Sequence, residues 1–231
     1  MWVELALRAG DARAELRNVR HLPAITLIAL LALTGTAEAG FRAQLGRAGL
    51  EDVRDRAAGI GVDLRYATAG NFTGKRLPGY CTAEPFLRAR AASALGRAQE
   101  KLAAGGLGLR VFDAYRPSRA SRAMVRWAKR TGREYLLHGL IAARSNHNRG
   151  AAVDLTLVRL EGGRALSMGT PFDSFSKKAA TGAVTGKPLR NRLRLRRALE
   201  AEGFRNYARE WWHYDFPSEL GAPRLDIALG C

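Results

Sequence analysis

Helix-period and strand-period segments follow one another in this chain without a regular βαβ alternation, and that order limits its possible folds more than any other feature. Residues 84–104 set Leu87, Ala91, Ala94, Leu95, Ala98 and Leu102 at helical spacing, and Gly105-Gly106 ends the run. Residues 107–115 alternate as a strand. Ser118 caps a helix to about Arg130, with Ala120, Met124 and Trp127 on one face. Residues 151–158 read as a strand, 189–201 as a helix ended by Gly203, and 211–216 as an aromatic strand. Nearer the N-terminus, residues 40–59 predict a short leading helix, and residues 62–66 a strand entering a Gly/Asn turn over 70–74. The pattern predicts an α+β fold rather than a doubly wound sheet. No repeat or Pro-rich linker divides it, and 231 residues suffice for one domain with a real core.

Charge points less clearly. The formal net charge of +17 suggests a nucleic-acid partner. Yet 32 of the 38 basic residues are Arg and they are scattered, as a compositional bias would leave them. The one cluster, residues 190–197, reads as the solvated face of a helix. No nucleic-acid partner is expected.

Residues 22–33 are almost wholly apolar. Arg17, Arg20 and His21 precede them, and Ala37-Glu38-Ala39 follows. Positive flank, short apolar run and small-x-small site form a secretory leader. The run falls short of the roughly 20 residues that span a bilayer. The expectation is a leader over 1–39, a mature domain over 40–231 with no stable membrane span, and an exported, periplasmic or extracytoplasmic location. An oxidising compartment permits a Cys81–Cys231 disulfide; two free thiols are the alternative.

The segments that carry chemistry are Ser145-Asn146-His147-Asn148-Arg149-Gly150-Ala151-Ala152-Val153-Asp154 and Glu210-Trp211-Trp212-His213. Two histidines and a carboxylate suit a catalytic Zn²⁺ site with a position left for water. Zinc brings the pKa of such a water to about 7. A nearby carboxylate, here Glu210, can take its proton and pass it to a leaving amine. His147 and Asp154 are seven apart and would face opposite ways on one straight strand, so His147 belongs to a loop before the strand of Asp154, with Gly150 permitting the turn. Glu210, an odd distance from His213, belongs to a turn ahead of its strand. Read singly, each residue has a plainer use as a satisfied histidine or a solvated carboxylate.

Together, Ser-x-His-x-x-Gly-x-Ala-x-Asp and Glu-x-x-His resemble the signature of zinc D,D-peptidases acting on peptidoglycan peptides. Three further segments narrow the resemblance to VanX-type D-alanyl-D-alanine dipeptidases. They are Asp63-Leu64-Arg65-Tyr66-Ala67-Thr68 through Asn71-Phe72-Thr73-Gly74, then Asp113-Ala114-Tyr115-Arg116-Pro117, then Gly169-Thr170-Pro171-Phe172-Asp173. The resemblance covers residues 62–216, departing from the family at Ala69-Gly70 and in the leader.

It implies a zinc D,D-peptidase (hedgehog-like) fold, with a mixed or antiparallel central sheet flanked by helices. It also implies one Zn²⁺ per chain on His147, Asp154 and His213, Glu210 as general base and acid, and Arg116 facing the oxyanion. Ser145 and Asp173 match positions that hold the substrate's free amino group, and Tyr66 a substrate-site position. The implied substrate is the D-Ala-D-Ala dipeptide. A D,D-carboxypeptidase or peptidoglycan endopeptidase with the same zinc site is the alternative, and a basic binding module for anionic polymers the alternative outside enzymes. Trp211 and Trp212 line the site or simply pack. Asp113 and Asp215 read as ordinary hydrogen-bonding residues, with ligand orientation as the other use, and His138 as a surface residue. Oligomeric state is not legible.

Overall fold

The computed structural model describes residues 40–231, so the expected leader lies outside the described residues. Among the described residues, two sheets and four α-helices make an α+β fold. A five-stranded sheet runs in the order β2 (Gly61–Val62), β4 (Leu107–Asp113), β5 (Ala152–Arg159), β7 (His213–Asp215), β6 (Arg205–Asn206). Only the β2–β4 pair is parallel. A small antiparallel pair joins β1 (Leu50–Asp52) to β3 (Phe86–Arg88). The helices are α1 (residues 40–47), α2 (Ala89–Ala103), α3 (Ser118–Arg130) and α4 (Gly186–Glu200). The expectation of a mixed, mostly antiparallel sheet flanked by helices is met. Among the described residues no helix is long and apolar enough to cross a membrane.

The stripe expected on α2 is the buried one: Ala91, Ala94, Leu95 and Ala98 are all at zero exposure, packed toward β4. Central strands β4 and β5 are buried along almost their whole length, so the alternation expected over residues 107–115 does not mark off a solvated face. Helix α4 adds Leu195 and Leu199 to the same core.

Five local expectations are corrected. The strand over 62–66 is only Gly61–Val62, because a 3-10 turn at Arg65–Ala67 follows and buries Tyr66. The helix expected from residue 84 starts at Ala89, since Phe86–Arg88 pairs with Leu50–Asp52 instead; that same pairing shortens the leading helix to residue 47. Ser118 does not cap α3: Pro117 occupies the cap, and the Ser118 hydroxyl donates to the Leu225 carbonyl at 2.8 Å. In each case long-range pairing outweighs local propensity.

The fifth correction is Arg192, which lies within the cluster expected to be solvated but is fully buried. Its Nε donates to the Met168 carbonyl at 2.7 Å, and its Nη1 to the carbonyls of Lys178 (3.0 Å) and Ala180 (2.6 Å). Burial without a carboxylate partner lowers its pKa to about 10. Arg192 therefore ties the segment over residues 168–180, which carries Asp173, to α4. The two cysteines form a Cys81–Cys231 disulfide, which holds the C-terminus to the body of the fold.

Helix α2 crosses the 56–57 turn closely enough that a Cβ on Gly96 would sit 2.1 Å from the Arg56 carbonyl oxygen. Alanine gains about 1 kcal/mol of helix propensity over glycine, but overpacking against backbone costs about 1–3 kcal/mol. Gly96→Ala is therefore expected to lower the urea unfolding midpoint; a raised midpoint would show that the turn yields freely.

Candidate metal centre

Strand register assembles the centre. Asp154 on β5 lies directly opposite His213 on β7 and opposite Asp113 on β4. Side chains opposed in this way share one face of the sheet. A register shift between Val111 and Asp113 aligns Asp113 with Asp154 instead of Val153, bringing it onto that face. Asp215 follows two residues after His213 and shares its side of β7.

His147 reaches the group from a 3-10 turn, Asn146–Arg149. The Ser145 hydroxyl accepts from the His147 amide at 3.3 Å, and Asn148 Oδ1 accepts from the Ser145 amide at 2.9 Å, closing a capping box. Gly150 ends the turn at φ 68°, where a Cβ would lie 2.3 Å from Leu50 Cδ2, so glycine is required on both conformational and steric grounds. The expected loop-then-strand arrangement is the one observed.

Three ligand-type atoms converge. His147 Nε2 is 3.2 Å from His213 Nδ1 and 3.3 Å from Asp154 Oδ1, and His213 Nδ1 is 3.0 Å from the same oxygen. The outer nitrogens decide the tautomers. His147 Nδ1 meets the Ala114 carbonyl at 2.7 Å, which can only accept, so that nitrogen carries the hydrogen and Nε2 keeps its lone pair. His213 Nε2 meets Asp215 Oδ1 at 3.1 Å, leaving Nδ1 to the centre. Histidines backed by a carbonyl or carboxylate are the usual support of a metal ligand set. Two imidazole nitrogens and one carboxylate oxygen therefore fit a divalent ion such as zinc in donor type and tautomer.

The electrostatics agree. Burial works to lower the His213 pKa, but its hydrogen bonds to Asp154 and Asp215 outweigh it and hold the imidazole well above its ordinary value. Burial likewise works against ionised Asp154, yet the two histidines hold its carboxyl far below the usual range. Without metal, a proton on His213 supplies the positive charge that the centre requires.

All eight residues singled out in the sequence line one cavity of about 230 Å³: Tyr66, Arg116, Ser145, His147, Asp154, Asp173, Glu210 and His213. Arg116 is buried, its Nε and Nη2 bound to Asp113 Oδ2 at 2.8 and 2.7 Å. Its Nη1 meets only the Met124 sulfur at 3.5 Å, a weak acceptor that leaves this donor available. The Asp173 carboxylate accepts the Tyr66 hydroxyl at 3.0 Å. Burial, then the Asp154 charge, push the Asp173 carboxyl well up. Glu210 sits in the turn before β7, and burial raises its carboxyl to about 7.

Several supporting residues escaped the sequence reading. Asn206 Nδ2 donates to the carbonyls of both Glu210 (3.1 Å) and His213 (3.0 Å), fixing the turn between them. Asn146 Nδ2 donates to Asp215 Oδ1 at 3.0 Å. A lone asparagine gives no periodic signal, and none could have marked either. Asp215 backs His213 directly, while Asp113 is 3.3 Å from His147 Nδ1, farther than the Ala114 carbonyl. Trp212 lines the cavity and Trp211 packs edge-on against it at 5.3 Å. His138 is exposed on a loop, as expected.

A Glu carboxyl raised from 4.5 to about 7 ties stability to pH. Between those values the folded chain keeps a proton that the unfolded chain releases, so this contribution to stability is lost as pH rises through 7. In metal-free protein, Glu210→Gln is expected to stabilise by up to about 3 kcal/mol at pH 8 and by little at pH 5. Equal effects at both pH values in urea titrations would contradict the burial argument.

Comparison with known proteins agrees with this geometry. The peptidase family M15, described as D-ala-D-ala dipeptidase, matches residues 46–227. A D-alanyl-D-alanine dipeptidase of Streptomyces coelicolor is 39% identical over 183 residues, covering 72% of this chain and 91% of that protein. One of Enterococcus faecium is 36% identical over 172 residues (68% and 85%), and one of Escherichia coli K12 is 36% identical over 172 residues (74% and 86%). The expected export is corrected by these matches. The relatives are named as D-alanyl-D-alanine dipeptidases, with no export in their description, and the family match begins at residue 46, beyond the leader on which that expectation rested.

Proposed function

The chain belongs to the M15 family of D-Ala-D-Ala dipeptidases, which are metallopeptidases, and from that premise we propose that residues 40–231 form a zinc-dependent enzyme releasing D-alanine from D-Ala-D-Ala. His147, Asp154 and His213 hold one Zn²⁺, which when bound supplies Lewis acidity for hydrolysis at neutral pH. The observation that carries this reading is the convergence of the ligand atoms of His147, Asp154 and His213 in the cavity that Glu210 also lines.

Glu210 takes a proton from the attacking water and returns it to the leaving amine, from a position that lines the same cavity as the three ligand residues. Arg116 Nη1 turns from the Met124 sulfur to the oxygen that gains charge in the tetrahedral addition, where a fixed cation out of bulk water is most effective. Asp173, half-buried and braced by the Tyr66 hydroxyl, takes the substrate ammonium, a charge-assisted contact that ionises its carboxyl. Ser145 reaches the same ammonium while capping the turn of His147. A carboxylate in the cavity that pairs with a cation favours the free dipeptide over the longer, amine-blocked peptides of a carboxypeptidase or endopeptidase.

Zinc-loaded protein should release D-Ala from D-Ala-D-Ala and leave an N-acetylated pentapeptide uncut; the opposite preference would transfer the same chemistry to a longer substrate. His147→Ala is expected to lose the metal. Glu210→Ala should keep stoichiometric zinc and lose turnover by at least about 10²-fold; turnover near the wild-type rate would remove Glu210 from the role of base. Asp173→Asn should raise KM for the dipeptide far more than it changes kcat, and an unchanged KM would remove Asp173 from amine recognition.

A further inference from the structure

Tyr80 and the C-terminal strap, residues 222–231, are the best-connected groups that this mechanism leaves without a task. Tyr80 is fully buried, and its hydroxyl donates to Asp113 Oδ1 at 2.5 Å. The other oxygen of Asp113 holds Arg116 through Nε and Nη2. One hydroxyl thus fixes the carboxylate that aims the guanidinium. Arg116 Nη2 also lies 3.6 Å from Asp154 Oδ2, so a loosened Asp113 would let Arg116 swing toward the ligand carboxylate.

The backbone around Tyr80 belongs to the strap. Tyr80 bridges Leu229 in parallel. The amides of Cys81 and Thr82 donate to the Leu229 carbonyl at 2.9 and 3.0 Å, and the Leu229 amide donates to Gly79 at 2.8 Å. The Cys81–Cys231 disulfide closes this contact covalently, so every residue from Arg116 to His213 lies within the loop it spans. The strap also grips both neighbours of Arg116-Pro117. The Tyr115 hydroxyl donates to the Ile227 carbonyl at 2.9 Å and accepts from the Ile227 amide at 2.8 Å. The Ser118 amide and hydroxyl both donate to the Leu225 carbonyl. The Leu225 amide donates to the Asn148 carbonyl at 2.8 Å, and Asn148 Nδ2 in turn donates to the Arg116 carbonyl at 2.8 Å.

We propose that the disulfide-locked C-terminal strap is a positioning device for Arg116, with Tyr80 the positioning residue that transmits its hold through Asp113. The inference rests on the reading of Arg116 as the oxyanion partner. Both the side chain and the backbone of Arg116 are set by contacts that end in the strap. A displacement of about 1 Å at a charge-stabilising group can cost on the order of a hundredfold in rate. Tyr80→Phe removes only the hydroxyl, leaving Asp113 Oδ1 without its donor. Cys81→Ser with Cys231→Ser removes the strap's covalent lock, leaving its hydrogen bonds, without touching the cavity.

The test sets Tyr80→Phe and the double cysteine variant in wild-type and Arg116→Ala backgrounds, all as zinc-loaded full chains. It reads kcat and KM on D-Ala-D-Ala, bound zinc, thermal unfolding, and affinity for a phosphinate dipeptide analogue. Tyr80→Phe is expected to lower kcat on the order of tenfold, as supporting residues of such sites do. KM should stay within about twofold and zinc stoichiometric, with phosphinate affinity falling by the factor lost from kcat. The cysteine variant should shift the same quantities in the same direction. In the Arg116→Ala background neither change should lower kcat further. The proposal is overturned by an unchanged kcat in Tyr80→Phe, by a loss that persists at full size without Arg116, or by a loss that tracks bound zinc. A wild-type chain that releases no D-Ala overturns the assigned function as well. An active wild type with insensitive variants overturns the strap alone.

Discussion

Two imidazole nitrogens and a carboxylate oxygen, all within about 3.3 Å of one another, make a centre that demands positive charge. Much of the surrounding structure answers that constraint. The Ala114 carbonyl and Asp215 face the outer nitrogens, so the inner ones must point their lone pairs inward. Asp154 turns one oxygen to the histidines and the other toward Arg116. Charge is thereby distributed before any ligand arrives: positive demand at the centre, a fixed cation at Arg116, and carboxyls at Asp173 and Glu210 that ionise only at a cost.

The fold meets this demand with ordinary antiparallel register. β4, β5 and β7 lie side by side, and a one-residue slip in β4 brings Asp113 into line with Asp154 and His213. The remaining members come from turns, whose geometry is fixed by Ser145 and Gly150 on one side and Asn206 on the other. Rigid strands carry the charge partners that must not move, while the turns carry His147 and Glu210. Arg192 and the C-terminal strap anchor the two segments that present Asp173 and Arg116.

The sequence made much of this legible. The α2 stripe, the long β4 and β5, and the loop-then-strand path from His147 to Asp154 followed from period and spacing alone. Which of the four histidines belong together did not; that came from the resemblance of five separated motifs. The failures share one cause. Residues 62–66, the start of α2 and the cap of α3 were misread because partners far along the chain decide them. Arg192 was read as solvated because nothing in a basic helix marks the one guanidinium that carbonyls surround. Asn206 and Tyr80 lie outside every motif, and their value arises only when the fold brings their partners to them. The charge of +17 constrained function least of all.

X-ray absorption at the zinc edge of the metal-loaded protein tests the central claim most directly. The account predicts one zinc per chain, four-coordinate, with two imidazole nitrogens at about 2.0–2.1 Å, carboxylate and water oxygens at a similar distance, and no sulfur. Loss of the imidazole signature in His147→Ala should accompany loss of the metal. A sulfur shell, an all-oxygen shell, or zinc bound equally well without His147 would contradict it.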